Sequence, residues 1–314
     1  MAQYLIRRVL LSIPTAFLVA TIVFSLVHLV PGNPAVVILG VQASPSDVKM
    51  LDQQLHLNLP IWQQYLDWLG QLIQGNLGTS MIYQVPVLQL IFQSLPRTIE
   101  LSLVAMALSI LIGVPAGLFA GFYHGRLWDR ISLYLATVGV VLPGFVIALL
   151  LIYVFTYRLH WLQIAGIAHT GTAVWISPLA YLVPGLTLAF GLSGPLMRIL
   201  RTEVRAVAMS DHIRTMRMMG SSEGRIMWKW TFKNALIPMI TFLGTQLGLL
   251  MGGVVIIENI FSIPGMGNLL VTGIFNKDYP VVQGCVLAMA FMVIVVNLLV
   301  ELVYAVIDPR ISYR

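Results

Sequence analysis

Charge is scarce in this chain. Of its 314 residues, 10% are Asp, Glu, Lys or Arg, against about 25% in an average soluble domain. With 58% hydrophobic residues and a mean hydropathy of +0.89, a protein of this length has too few charges to cover a water-facing surface. A water-soluble enzyme is excluded, and so is a disordered chain, which would be polar and charge-rich. Cysteine is nearly absent: Cys285 stands alone, so no internal disulfide can form. It sits in an apolar run and reads as a small buried or lipid-facing residue. There is no tandem repeat, no low-complexity tract and no linker long enough to separate domains, so residues 1–314 read as a single transmembrane domain. There is also no Gly-Lys-Ser/Thr phosphate loop, so the chain has no ATP site of its own and is not expected to be an enzyme. Acid is scarcer than base, 12 residues against 18, for a net charge of +6. In a chain this apolar, that excess points to cytoplasmic loops rather than to nucleic acid.

What is abundant is long apolar segments. A span needs about 20 apolar residues to cross roughly 30 Å of hydrocarbon. Such runs lie at about 9–30, 98–121, 131–157, 178–200, 235–257 and 282–306. The first is too long for a signal peptide core and reads as a retained helix, ended by Pro31-Gly32-Asn33-Pro34. Six spans make an all-α integral membrane protein. Pro115, Pro143, Pro184 and Pro195 inside these runs are tolerated where neighbouring helices satisfy the freed backbone groups.

Six spans put both termini on one side. Fourteen of the Lys and Arg residues fall on that side: Arg7, Arg8, Arg126, Arg130, Arg310, Arg314 and the eight from Arg198 to Lys233. Four fall opposite: Lys49, Arg97, Arg158 and Lys277. The positive-inside rule then places both termini in the cytoplasm. Residues 31–96 become an external segment with two short helices, Asp47 to Leu57 and Ile61 to Ile73. The second carries a Trp62, Tyr65, Trp68, Leu69 face suited to the membrane interface or to packing on spans. Residues 198–234 become a basic cytoplasmic loop.

That loop has internal order. Ser210 or Asp211 can cap a helix, Ile213, Met216 and Met219 recur at helical spacing, and Gly220 suits the left-handed position just past a helix end. Ser221 or Ser222 can cap a second helix running through Arg225, Trp228 and Phe232 into the fifth span. A short helix rich in Met and Arg can rest on anionic lipid, can merely satisfy the positive-inside rule, or can seat in a soluble partner, to which methionine adapts well.

The loop resembles the EAA loop of permease subunits of binding-protein-dependent ABC importers, whose pattern is Glu-Ala-Ala, three residues, Gly, nine residues, Ile-x-Leu-Pro. Here it falls on Arg214-Thr215-Met216, Gly220, and Trp230 to Lys233. Only the glycine matches literally. The departures are similar to those of the dipeptide, oligopeptide and nickel branch, with Arg214-Thr215-Met216-Arg217-Met218-Met219-Gly220 followed by Lys233-Asn234-Ala235-Leu236-Ile237-Pro238. Further pieces resemble that branch in order along the whole chain: Pro31-Gly32-Asn33-Pro34-Ala35, Asn76-Leu77-Gly78-Thr79-Ser80, Leu95-Pro96-Arg97-Thr98-Ile99-Glu100, Phe261-Ser262-Ile263-Pro264-Gly265-Met266-Gly267, Asp278-Tyr279-Pro280-Val281-Val282-Gln283-Gly284 and Asp308-Pro309-Arg310-Ile311. The long external stretch resembles the first permease of the pair.

The resemblance implies a type I importer fold in a bacterial or archaeal plasma (inner) membrane. It implies a second permease, giving a heterodimer, two ATP-binding subunits that carry ATP and Mg, and an external substrate-binding protein. The substrate implied is a di- or oligopeptide; nickel chelate, glutathione and oligosaccharide are the alternatives. The ATPase contact is then expected on Asp211, His212, Ile213, Arg214, Thr215, Met216, Arg217, Met218, Met219, Gly220 and Ser221, with Arg214 and Arg217 meeting carboxylates or carbonyls of the partner. Polar positions expected to line the pathway are Ser102, Thr137, Thr241, Thr245 and Gln246.

Other constellations have simpler explanations. Gly191-Leu192-Ser193-Gly194 has the nucleophile pattern of rhomboid proteases, but no histidine lies in the fifth or sixth run to serve as base; small residues for close helix packing explain it. His160 and His169 have poor ligand spacing for a metal, and no metal site is expected. Glu100, Glu258 and Glu301 lie near span ends, where packing explains them better than a proton relay. A secondary transporter would require inverted repeats and polar midplane sites, which the sequence does not display.

Overall fold

The computed structural model describes residues 2–29, 36, 44–54, 58–160 and 178–307. In chain order the helices are α1 (Ala2–Leu29), α2 (Pro45–Gln54), α3 (Ile61–Ile73), α4 (Val87–Phe122), α5 (Leu127–Val141), α6 (Gly144–Ile152), α7 (Leu182–Ala208), α8 (Asp211–Met218), α9 (Phe232–Ile260), α10 (Met266–Phe275) and α11 (Tyr279–Ile307). Two π-helical turns join them, Tyr153–Arg158 after α6 and Ile226–Thr231 ahead of α9. Among the described residues, Val87–Phe122, Leu182–Ala208, Pro238–Ile260 and Tyr279–Leu302 are long and apolar enough to cross a membrane. A fifth joins them if the bent pair Leu127–Val141 and Gly144–Arg158 is one span. The apolar stretch Leu10–Ser25 of α1 is shorter.

Several boundaries differ from the sequence expectation. The run 131–157 is not one straight helix: it bends by 104° at Leu142 and Pro143. Proline pushes the residue before it out of the α region, and Leu142 duly sits at φ −75, ψ 125. Gly144 follows at once, and the run is carried by two helices with a break at Pro143. The helix holding the second run starts at Val87, inside the segment read as external, and α7 continues to Ala208, inside the segment read as loop. The start of the 31–96 segment, Leu55 to Leu57, His169 and the Asp308-Pro309-Arg310-Ile311 tail lie outside the described residues.

The chain divides into two compact units. One holds the described residues up to Arg97 together with Pro264–Ile294; the other holds Thr98–Ile263 and the described residues from Val295. In the first, Val87, Ile91, Met266, Val281 and Cys285 form a buried core flanked by Leu77, Leu269 and Leu270. Cys285 is therefore buried, one of its two expected placements. The buried Asp278 carboxylate, ahead of α11, holds the 80–85 turn. It accepts the Ser80 hydroxyl, the Met81 N–H at 3.2 Å and the Ile82 N–H at 3.4 Å. Two sequence pieces almost two hundred residues apart, 76–80 and 278–284, thus meet.

The second unit is built around α7, which packs against α5, α6 and α9. Its core comprises Val114, Leu118, Leu196, Leu200, Val204, Met227, Ala235 and Met239. Helices in lipid associate through close packing rather than through exclusion of water, and glycines set the distance. Gly113, Gly117 and Gly121, one per turn of α4, face α7. A Cβ on Gly117 would fall 2.8 Å from Leu200 Cβ, and one on Gly121 2.7 Å from the Arg201 carbonyl oxygen. Gly194 approaches the Ala136 carbonyl, and Gly139 the Phe190 carbonyl, equally closely. Ser193 is buried and donates to the Phe190 carbonyl. Of the Gly-x-Ser-Gly motif, Gly194 thus serves close packing on α5, while Gly191 has open space around it.

Candidate coupling site and pathway residues

Between α7 and α9 the chain turns through α8. Ser210 is the N-cap residue, with an extended backbone at ψ 154. Its hydroxyl donates to the Val207 carbonyl and meets His212 Nδ1 at 2.9 Å rather than capping a helix N–H. Asp211 stands in the first turn and Arg217 in the last, each favourably placed in the helix dipole. Thr215 returns its hydroxyl to the Asp211 carbonyl at 2.9 Å.

The helix ends as its glycine demands. Gly220 has φ +81, its N–H bonds the Arg217 carbonyl at 3.0 Å, and the Ser221 N–H reaches back to the Met216 carbonyl at 3.1 Å. This pair of bonds is a Schellman motif, which needs a left-handed residue at Gly220. Ser222 then begins the lead-in to α9 through Glu223–Arg225 and the π turn. The sequence foretold this helix, its glycine and the second helix, but not the π turn.

One side chain anchors α8: Ile213 is its only buried residue, at 0% exposure. Asp211, His212, Arg214, Thr215, Arg217, Met218, Met219 and Gly220 are exposed; Met216 and Ser221 are half-buried. Met209, Met218 and Met219 are each at least 70% exposed. Arg217 is used within the chain. It clasps Glu223 with two bonds of 2.8 and 3.2 Å, approaches the Ala208 carbonyl at 3.4 Å and lies 5.8 Å from the Phe122 ring centre. It braces α8 against the end of α7 and the start of the lead-in, while Arg214 is exposed.

A second brace lies one level up. Asp129, buried in the first turn of α5, accepts Arg201 of α7 through the Nε and Nη2 N–H groups of one guanidinium edge, the Nη2 bond at 3.2 Å. It also accepts the Gly125 N–H at 2.8 Å, and His124 Nδ1 lies 2.8 Å away. Nothing in the sequence singled out Asp129 and Arg201; they stand 72 positions apart, and only folding pairs them. Glu258, which the sequence did mark near a span end, is fully buried and accepts the Thr98 hydroxyl at 2.6 Å. This bond supports the packing role read for Glu258.

The expected pathway positions do not form one cluster. Ser102 is buried, with its hydroxyl on the Thr98 carbonyl. Thr137 of α5 is exposed and accepts a 3.1 Å bond from exposed Arg198 of α7. Thr241 and Thr245 are exposed one turn apart on α9, and Gln246 is half-buried. Among the described residues, no group of three or more His, Cys, Asp or Glu side chains is arranged to hold a metal ion.

Similarity to known proteins covers the whole chain. Residues 113–313 match the family described as the binding-protein-dependent transport system inner membrane component, and residues 1–102 match its N-terminal counterpart. The dipeptide transport system permease protein DppB of Alkalihalophilus pseudofirmus is 38% identical across all of both chains. The glutathione transport system permease protein GsiC is 36% identical in Escherichia coli O6:H1 and 35% in Escherichia coli K12, again across all of both chains. The chain belongs to the binding-protein-dependent transport system inner membrane component family.

Proposed function

We propose that this chain is the membrane subunit of an ATP-driven importer of di- or oligopeptides, with α8 as the element through which ATPase subunits move the spans. Family membership and the names of the dipeptide and glutathione relatives support the substrate class. Glutathione is itself a tripeptide, so the two names describe one chemistry. The observation that carries the coupling reading is the build of α8. A short helix stands out on one buried isoleucine, ends on a left-handed glycine, and presents Asp211, Arg214, Met218 and Met219 outward.

In this reading the chain spans the inner membrane six times with both termini in the cytoplasm, as the fourteen-to-four split of basic residues requires. Residues 1–314 act as one permease domain, with 31–96 external and 198–234 as the coupling loop. Thr137 on α5 and Thr241, Thr245 and Gln246 on α9 place polar side chains toward a peptide in transit, with the Thr137 and Thr245 protons held by their own helices; Ser102 serves helix packing. A second permease completes the pathway, two ATP-binding subunits carry ATP and Mg, and an external binding protein delivers the peptide.

The test is Gly220→Val in the purified complex in proteoliposomes. Position 220 has open space around it, so the variant folds and inserts, but the left-handed turn is strained and α8 is mis-aimed. ATP hydrolysis stimulated by the peptide-loaded binding protein falls at least tenfold, while Gly220→Asn, which tolerates the left-handed region, retains most of it. Wild-type transport by Gly220→Val contradicts the reading.

A further inference from the structure

Helix α3 has two apolar faces, and among the described residues only one meets another helix. At about 100° per residue, Ile61, Tyr65, Trp68 and Leu72 fall on one side. Trp62, Leu66, Leu69 and Ile73 form an adjacent stripe, and Gln63, Gln64, Asp67 and Gln71 fill the remainder. Tyr65 and Trp68 of the first face lie on α1, while Ile61 at its start is 63% exposed. Tyr65 meets Phe17 and Phe24 edge-on at ring distances of 6.4 and 5.2 Å, and Trp68 lies 5.5 Å from Phe24. The Thr21 hydroxyl gives its proton to the Phe17 carbonyl at 2.9 Å, so Tyr65 donates the 2.7 Å bond that joins the two side chains. The second stripe is open: Trp62 is 61% exposed, Leu66 55% and Ile73 80%.

The depth of the contact says what covers that stripe. Phe17, Thr21 and Phe24 stand nine, thirteen and sixteen residues beyond Arg8, about 14 to 24 Å along the helix at 1.5 Å per residue. The hydrocarbon core is about 30 Å thick. A helix packed against α1 at that height is not in bulk water. Like that stripe, Leu10, Leu11, Ile13, Leu18 and Ile22 of α1 are exposed apolar residues. Asp67 is the only charged residue of α3, so nothing on it selects anionic headgroups.

We propose that α3 is an interfacial helix sunk in the outer leaflet, its Trp62, Leu66, Leu69, Ile73 stripe against acyl chains and its glutamine and Asp67 side toward water. Amphipathic helices bind lipid in this way, with tryptophan and tyrosine at the interface level. The inference rests on the reading of α1 as a span. The external segment is thereby tied to the membrane plane at α3 rather than standing free above it.

The test uses the full complex in neutral phosphatidylcholine liposomes, with Cys285→Ala as background. Single spin labels are placed through Trp62→Cys, Leu66→Cys and Ile73→Cys, through Asp67→Cys and Gln71→Cys, and through Leu18→Cys as the α1 control. Collision with oxygen is compared with collision with a water-soluble nickel chelate. Labels at 62, 66 and 73 are expected to favour oxygen severalfold, as at 18, and labels at 67 and 71 to favour the chelate, independent of salt. Chelate access at 62, 66 and 73 equal to that at 67 overturns the proposal. So do immobile labels closed to both reagents, which would place a protein subunit there. Chelate access at 18 overturns the span reading of α1 instead.

Discussion

The two ends of the α7 region are built on opposite principles. Along α4, α5 and α7, glycines bring backbones so close that an added methyl would overlap a carbonyl oxygen or a Cβ. At α8, one buried isoleucine, one arginine clasp and one glycine turn position a helix whose other side chains are half-buried or exposed. The first arrangement leaves no room for independent motion, so the helices it joins move as one body. The second leaves a surface that can be gripped from outside. A coupling device needs both: a handle that a partner can hold and a lever that does not flex.

Predictions that break this contrast follow in order of expected effect. Gly121→Leu places side-chain atoms against the Arg201 carbonyl and Val204 and abolishes recovery of folded protein by size-exclusion chromatography in detergent. Gly191→Ala, with open space around it, leaves the profile unchanged. Asp129→Asn leaves the Arg201 guanidinium without its carboxylate. Removing one member of a buried pair costs about 3 kcal/mol, so thermal unfolding in detergent drops by several degrees. Gly220→Val loses about 1–2 kcal/mol locally, too little to unfold the chain, and acts on coupling rather than on melting temperature. Arg217→Lys keeps the charge but loses the two-pronged grip on Glu223. Both groups are well exposed, so its effect on melting is within the error of measurement and shows only as a reduced rate of coupled ATP hydrolysis.

The same contrast governs how much could be read in the sequence. Helix α8 was legible because its determinants are local: a helical spacing, a glycine at the right offset and serines at each helix start, all within residues 210–222, although neither Ser210 nor Ser222 makes a side-chain cap bond. The apolar runs were legible for the same reason. The glycine ladder at 113, 117 and 121 is periodic and open to reading, but its partner face on α7 is not. The Asp129–Arg201, Thr98–Glu258 and Ser80–Asp278 pairs join positions far apart in the chain; Thr98, Ser80, Asp278 and Glu258 stand in stretches the sequence marks, but nothing in it says which residue meets which. The bend at Pro143 was misjudged because a proline in a span can be absorbed or can end the helix. Leu142, driven into extended geometry and followed by Gly144, decides it here. The second face of α3 needed the structure because its aromatic residues divide between α1 and open surface.

The central claim is that α8 is held by an ATPase subunit, and the direct test is to ask what lies against it. In a Cys285→Ala background, Met218→Cys carrying a short cross-linker is purified by a tag from the native host membrane. The account predicts a covalent product with an ATP-binding subunit, recovered together with a second permease. It also predicts that the same cross-linker at exposed Tyr134 of α5 gives no such product. A chain recovered alone, unlinked at position 218 and moving solute in vesicles without ATP, would contradict it.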